Sequence, residues 1–525
     1  QPRERHLDAH PIMLSGLRIL IADQHLSIRT WMRELLSVIG ATSVSMASNA
    51  SELMRMARNV GYDIIICDHH LDDRRDGQQL LEELRFLHIL PLRSVFMIAS
   101  AERQYHHVVA AAEFAPDDYL VKPYTPGQLA TRLDRALRKK KALRSVFDHL
   151  EVCAHEDAIH ACDRAIKVTP RYTLDALRIK AESLVAIGRA EEARAIYQSI
   201  ASTQAVPWAR MGYAMMLQRE KKYDEARDEA DQLNQEHPEF LSVYDLLAQI
   251  HENAGEYRQA IECLERASSI TSSTNTDRLR KIADVAEVAG DRDKVISTLR
   301  RVVERTQRSS MLNVDDYLSL TRTLLDEKRV DEAAAIADEM RLETRKIASG
   351  ELALEVATAM VHRGKGQMTE ARSSLDKAFD LLDADQSATT DTLAAEIAEE
   401  AVQHGEVGRA AALIARLSTR DSLPGKIKAR VTSWLEGERA DNDDAGGEKQ
   451  KAAFGEQIMI SMIESLEQLD ANWSEERATK TREILIDAFT LMPRDKRVIN
   501  AHIRYNSVAV RNGGERHSPT TRTDH

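Results

Sequence analysis

Cysteine is scarce in this chain. Four residues in 525, Cys67, Cys153, Cys162 and Cys263, have neither paired spacing nor histidine companions suited to zinc. They exclude a disulfide framework and a cysteine-rich metal site, and are expected as buried thiols in a reducing cytoplasm. Long apolar runs are missing as well. None approaches the ~20 residues of a membrane-spanning helix, and no signal-peptide segment is expected, so the protein reads as cytoplasmic with no membrane insertion. The chain begins at Gln1, and the native start is expected at Met13 or farther upstream. An excess of positive charge is absent: the balance of -12 argues against general nucleic-acid binding. No Gly-x-x-x-x-Gly-Lys-Ser/Thr loop occurs. Aromatic residues make up only 5% against 30% charged, and the length is too great for one core. That combination suits an Ala/Glu/Arg/Leu-rich helical array beside a small α/β domain.

What is present begins with four short apolar runs that each end in a polar group. Arg18-Ile-Leu-Ile-Ala-Asp23 and Tyr62-Asp-Ile-Ile-Ile-Cys-Asp68 end in carboxylates, Val95-Phe-Met-Ile-Ala-Ser100 in a hydroxyl, and Tyr119-Leu-Val-Lys122-Pro123 in an amine. Helical patterns separate them, over 26–39, 50–60, 78–87, 105–113 and 125–137. Runs of this kind read as a parallel sheet with crossover helices, whose strand carboxyl ends form the ligand crevice. A carboxylate that attacks phosphorus needs its own charge and that of the phosphate neutralised. Mg2+ held by one or two carboxylates does this, and an ammonium and a hydroxyl complete the cradle.

These residues resemble the receiver domain of two-component response regulators over about Leu17 to Leu137, with the motifs in the family order. The resemblance implies a doubly wound, five-stranded parallel α/β sheet of the flavodoxin or CheY type. It also implies that Asp68 is the phosphoacceptor, Asp23 a member of the acidic Mg2+ pocket, Ser100 the switch hydroxyl, Lys122 the phosphate-contacting lysine and Tyr119 the aromatic switch. Pro123 would follow a cis peptide, and the backbone carbonyl of His70 would fall at the third metal-ligand position. Two departures stand out. Gln24 occupies the place of the second acid, offering Mg2+ a neutral amide oxygen. The turn Asp72-Asp-Arg-Arg-Asp76-Gly77 is one residue longer than usual. The pairs His69-His70 and His106-His107 look like metal ligands, but adjacent residues do not face each other, and solvated histidines are expected.

Beyond about Ala142 the pattern is helical and repeats itself. Anchors Ala158, Ala193, Ala226 and Ala260 stand 35, 33 and 34 residues apart. Gly188 and Gly255 precede their anchors by five, Tyr223 and Tyr257 precede theirs by three, and Pro170 and Pro238 follow by twelve. The grammar resembles the tetratricopeptide repeat, a helix–turn–helix unit with a ~34-residue period. It continues with Gly290 before Val295, then Ala333, Gly366 before Ala371 and Gly405 before Ala410, at spacings of 35, 38, 38 and 39, for eight units. Small anchors let paired helices approach, and glycine accepts the positive φ of the turn between them.

The organisation read from these signals is an N-terminal extension (1–15, disordered), a receiver domain (16–140), an all-α tetratricopeptide-repeat solenoid (141–435), a charged linker (436–451), a C-terminal helical cap (452–505) and a disordered tail (506–525). The basic run Arg135 to Arg144 suits the C-terminal end of a helix. Nothing downstream resembles a winged helix, a cyclase, a phosphodiesterase or a kinase. The expectation is a non-enzymatic response regulator. It would take phosphate from a histidine kinase or histidine phosphotransfer protein and act on a protein target through the repeat groove. The alternatives are a phosphorylation-independent scaffold whose receiver docks to a histidine kinase and, ranked below it, a nucleic-acid-binding regulator using the basic run.

Overall fold

The computed structural model describes residues 14–71, 75–101, 116–203, 206–270, 275–307, 309–345, 347–385 and 389–418, with 423, 426–428, 430 and 505. The expected extension as far as residue 13, the linker 436–451, the cap 452–505 (apart from Tyr505) and the tail 506–525 lie outside the described residues. So do the run 105–113 and His106-His107. The chain divides into two compact units, one of residues 1–285 with 309–311, the other of 286–308 with 312–525.

The first unit opens with five parallel strands, β1 (Arg18–Ala22), β2 (Ser43–Ala47), β3 (Ile64–Asp68), β4 (Val95–Ser100) and β5 (Asp118–Val121), in the order β2-β1-β3-β4-β5. The central strands are covered on both faces, which is why they read as unbroken apolar runs. Alternate residues serve the two layers. Ile19, Ile21, Ile64, Ile66, Val95 and Met97 pack against α1 (Leu26–Val38) and the helix Pro126–Ala142. Leu20, Ile65, Phe96 and Ile98 pack against α2 (Ala50–Asn59) and α3 (Gly77–Phe86). Edge strand β2, Ser-Val-Ser-Met-Ala, lacks the apolar run and was the strand with the weakest sequence signal. Asn49, Asp76 and Thr125 cap their helices, the last two through complete capping boxes.

The helix Pro126–Ala142 runs almost directly into Arg144–Leu150. Leu143, Val146 and Phe147 enter a core with Ala161, Cys162 and Ala176, and Leu92, from the loop before β4, packs on it. The basic run is absorbed here: Lys140 Nζ donates to the Leu92 carbonyl at 2.6 Å and pairs with Asp117 at 2.7 Å, and Lys139 pairs with Asp175 at 2.5 Å. Burial lowers the Lys140 pKa, with Asp117 opposing the fall.

The repeat grammar is written into the backbone. All eight anchors lie inside helices and are at most 1% exposed. Five residues before each stands a left-handed residue: Gly188, Gly255, Gly290, Gly366 and Gly405, but also Cys153 (φ 54°), Lys221 (φ 62°) and Lys328 (φ 58°). In the second unit the helices Val314–Asp326, Gly350–Gly364 and Asp391–Gln403 are buried nearly all round. Charge is buried with them. Arg322 pairs with Glu287 and, at 3.2 Å, with Glu396; Arg430 reaches Glu396 at 2.7 Å and Glu399 at 3.3 Å. Burial works to raise the Glu396 pKa, but Arg430 and Arg322 outweigh it and hold the carboxyl below the ordinary range.

Two expectations are corrected. Cys153 is exposed and Cys263 only half-buried, so just Cys67 and Cys162 are buried thiols. His69 is 1% exposed rather than solvated: its backbone is tied into the sheet, the N–H donating to the Ala99 carbonyl and the carbonyl accepting from Gly77, both at 2.8 Å, which turns the side chain inward.

Candidate functional site

Strand register gathers the polar ends of the four apolar runs. Ala22 stands beside Cys67, Asp68 beside Ala99, and Ser100 beside Val121, so the residues that close these strands share one edge of the sheet. Lys122 Nζ donates to Asp23 Oδ2 and to Asp68 Oδ1, each at 2.8 Å. Asp23 is almost fully buried; its Oδ1 accepts the His25 N–H at 2.8 Å and its carbonyl accepts from Arg29 Nη1. Asp68 is the more open carboxylate, its side chain 14% exposed. Ser100 is buried, and its carbonyl accepts the Lys122 N–H at 2.7 Å. The peptide between Lys122 and Pro123 is cis.

One ammonium against two carboxylates leaves the triad with a net negative charge, and the pKa directions follow from that imbalance. Burial pushes the Asp68 carboxyl above the usual carboxylate range; Lys122 pulls it down, and Asp23 adds to the rise. For Lys122, burial disfavours the ammonium, but hydrogen bonds to two carboxylates outweigh it and its pKa stands above the ordinary lysine value. Asp68 rises chiefly through burial, which Lys122 does not fully offset, and Lys122 rises through its two carboxylate partners.

Gln24 lies at the rim, its Nε2 facing the His70 carbonyl at 3.5 Å. Asp23 and Asp68 offer carboxylate oxygens and His70 a backbone carbonyl, donors of the kind Mg2+ takes, while Gln24 turns its amide nitrogen rather than its oxygen to that carbonyl. The residues therefore fit such a cation, with one carboxylate fewer than two adjacent acids would supply. Among the described residues there is no cluster of three or more His, Cys, Asp or Glu side chains able to hold a metal.

Tyr119 is 3% exposed, its ring packed in the core cluster with Phe96 and Ile98. Three further neighbours carry no motif in the sequence. Tyr124, its ring centroid 5.2 Å from that of Trp31 and tilted by 47°, has its pKa raised by burial and then by Asp23 and Asp68. Arg29 reaches the site by standing one turn into α1. Gly77 is required by proximity: a Cβ there would lie 2.8 Å from the Asp68 carbonyl oxygen. Cys67, beside Asp68, is kept protonated by burial and by the Asp68 charge, which raise its pKa well above the ordinary thiol value.

This sheet with two carboxylates and a lysine at its strand ends defines a response-regulator-like α/β domain, and comparison with known proteins agrees. Residues 19–134 match the response regulator receiver domain family and residues 241–274 the tetratricopeptide repeat family. The chain thus carries a receiver domain followed by a tetratricopeptide-repeat region. Chemotaxis protein CheY-3 of Vibrio cholerae is 26% identical over 128 residues, which are 24% of this chain and 97% of that protein. The probable transcriptional regulator ycf27 of Cyanidium caldarium is 29% identical over 121 residues, 23% of this chain and 46% of that protein. Among solved structures, a tetratricopeptide repeat protein from Parabacteroides merdae aligns at 13% identity and TM-score 0.34, covering 56% of this chain and 97% of its own. A receiver domain protein from Clostridium thermocellum aligns at 24% identity and TM-score 0.22, covering 24% and 98%. Among the described residues no helix is long and apolar enough to cross a membrane.

Proposed function

We propose that this protein is a response regulator that accepts a phosphoryl group on Asp68 and signals through protein–protein contacts of its repeat region. The observation that carries the reading is the Lys122 ammonium held between Asp23 and Asp68 at 2.8 Å from each. An Asp68 carboxylate oxygen would form the new O–P bond while the bond from phosphorus to the donor breaks, the electron pair leaving with the donor. The donor in the cell would be a histidine kinase or a histidine phosphotransfer protein. Lys122 would then turn from Asp68 to a phosphoryl oxygen without leaving Asp23, and the Ser100 hydroxyl would bind another. Bound Mg2+ would supply charge neutralisation, held by Asp23, Asp68, the His70 carbonyl and the Gln24 amide oxygen. Tyr119 would act as the aromatic switch, and the protein would work in the cytoplasm as a phosphoacceptor rather than as an enzyme acting on other molecules.

Gln24 favours a second reading, a scaffold whose receiver docks to a histidine kinase without being phosphorylated, because a neutral amide weakens the metal pocket. One experiment separates the two. The full chain and Asp68→Ala are incubated with Mg2+ and acetyl phosphate and weighed intact. A phosphoryl adduct on the parent and none on the variant supports the switched regulator; no adduct with any small donor supports the scaffold.

A further inference from the structure

Beside the carboxylates lies a buried donor without an acceptor. Ile21, Ile66 and Leu120 belong to the layer packed by α1 and the helix Pro126–Ala142. Residues two apart along a strand share a face, and Asp23, Asp68 and Lys122 follow these three by two. The ladder continues through the two that lie just past their strands: the Asp23 N–H donates to the Ala47 carbonyl at 3.3 Å and the Lys122 N–H to the Ser100 carbonyl at 2.7 Å. The triad therefore stands on the face where Tyr124 packs, in the same layer. Tyr124 is 6% exposed, and its hydroxyl oxygen is buried with no hydrogen-bond partner among the described residues. The charges that act on it are Asp23 and, after it, Asp68; with burial they raise its pKa, so at neutral pH the hydroxyl keeps its proton and is a donor.

Leaving a buried hydroxyl unpaired is costly. The ring is held against Trp31 among Met32, Leu129 and Leu133. An enclosed water between the hydroxyl and the acids would satisfy it, since buried water settles where about two to four polar groups converge. Asp23 has capacity for such a water: Oδ1 accepts from the His25 N–H and Oδ2 from Lys122, one hydrogen bond each, where a carboxylate oxygen can take two.

We propose that Tyr124 is a positioning residue of the cation pocket: through one enclosed water its hydroxyl donates to the Asp23 carboxylate and holds that acid in place for a divalent cation. The inference rests on the pocket taking Mg2+, as proposed above. A hydrogen-bonding partner fixes the direction of a ligating carboxylate, and losing it weakens metal binding by roughly 10- to 100-fold. Gln24, with its amide nitrogen turned to the His70 carbonyl, adds no second acid at the end of β1, so more depends on the orientation of Asp23.

Calorimetric titration of the full chain with MgCl2 tests this, with Tyr124→Phe and Trp31→Phe beside the parent. Tyr124→Phe keeps the ring and removes only the donor, whereas Trp31→Phe alters the packing on that ring and keeps the donor. Tyr124→Phe should weaken Mg2+ binding about tenfold, the lower end of the range because the contact passes through water. Trp31→Phe should leave the affinity unchanged. Equal affinity in Tyr124→Phe and the parent overturns the positioning role and leaves the cation pocket standing. A loss in Trp31→Phe as large as that in Tyr124→Phe also overturns it, since ring packing rather than the hydroxyl would then set the affinity. A parent that takes up no Mg2+ overturns the pocket and the inference together, which tells the two failures apart.

Discussion

At the scale of single residues, Lys122 serves two carboxylates and so decides what each can lose. The Asp68 pKa is raised, so its neutral form is favoured in the folded chain: that contribution is present below the unfolded value near 3.8 and lost as pH rises through the folded pKa. At neutral pH the buried charge is a cost. Asp68→Asn should therefore be as stable as the parent at pH 7 or more so by about 1 kcal/mol, the difference closing toward pH 4, in paired urea titrations. A clear loss of stability at pH 7 would contradict this balance. Lys122→Met should do the opposite, removing the cation from two buried acids and costing about 2 to 3 kcal/mol. Added Mg2+ should restore part of that loss, read as a rise in Tm. Asp23, Asp68, Ser100 and Lys122 were legible because each closes an unbroken apolar run, a pattern contiguous in the sequence. Arg29, Tyr124 and Gly77 were not, because what recommends them is distance across the fold.

At the scale of elements, the repeats show what punctuation hides as well as what it reveals. Five of the eight inter-helix turns carry glycine and could be read directly; the other three carry Cys153, Lys221 and Lys328 in the same left-handed conformation. Repeat context holds these side chains where L-residues are strained by roughly 1 to 2 kcal/mol. Lys221→Gly and Lys328→Gly should each recover about 1 kcal/mol, measured as a higher denaturation midpoint, while Gly255→Ala should lose a similar amount. An unchanged midpoint in both lysine variants would mean that their side-chain contacts offset the strain. The sequence carries a further signal: Trp208-Ala-Arg-Met-Gly212 follows the repeat's aromatic-to-glycine spacing. Its reason is visible in the packing, since a Cβ on Gly212 would fall 2.3 Å from the Tyr197 ring. The edge strand β2 was weakly legible for the converse reason, being too polar to announce a buried strand.

At the scale of the molecule, a repeat array is expected to be stabilised by nearest neighbours alone. The second unit departs from that rule. Glu396 ties its own helix to Arg322, two repeats back, and to Arg430. Its depressed pKa contributes stability that is present above the unfolded value near 4.5 and lost as pH falls through the lower folded value. Glu396→Ala should cost about 3 kcal/mol at pH 7 by removing the carboxylate that two buried arginines share, whereas replacing Glu396, Arg322 and Arg430 together by apolar residues of similar size should be close to neutral. Urea unfolding followed by circular dichroism distinguishes these outcomes, and a single variant as stable as the triple would refute the coupling. None of this was readable beforehand, since charges that meet across two repeats leave no periodic trace. The uneven burial of the four thiols carries a practical consequence. Burial raises the pKa of Cys67 well above the ordinary value, of Cys162 to about 12 and of Cys263 to about 11, while Cys153 stands exposed in the turn after Arg144–Leu150, one helix beyond the receiver's last. Thiol-reactive dyes at neutral pH should therefore label Cys153 first, giving the unaltered protein one fluorescent reporter beside the joint between its two kinds of architecture.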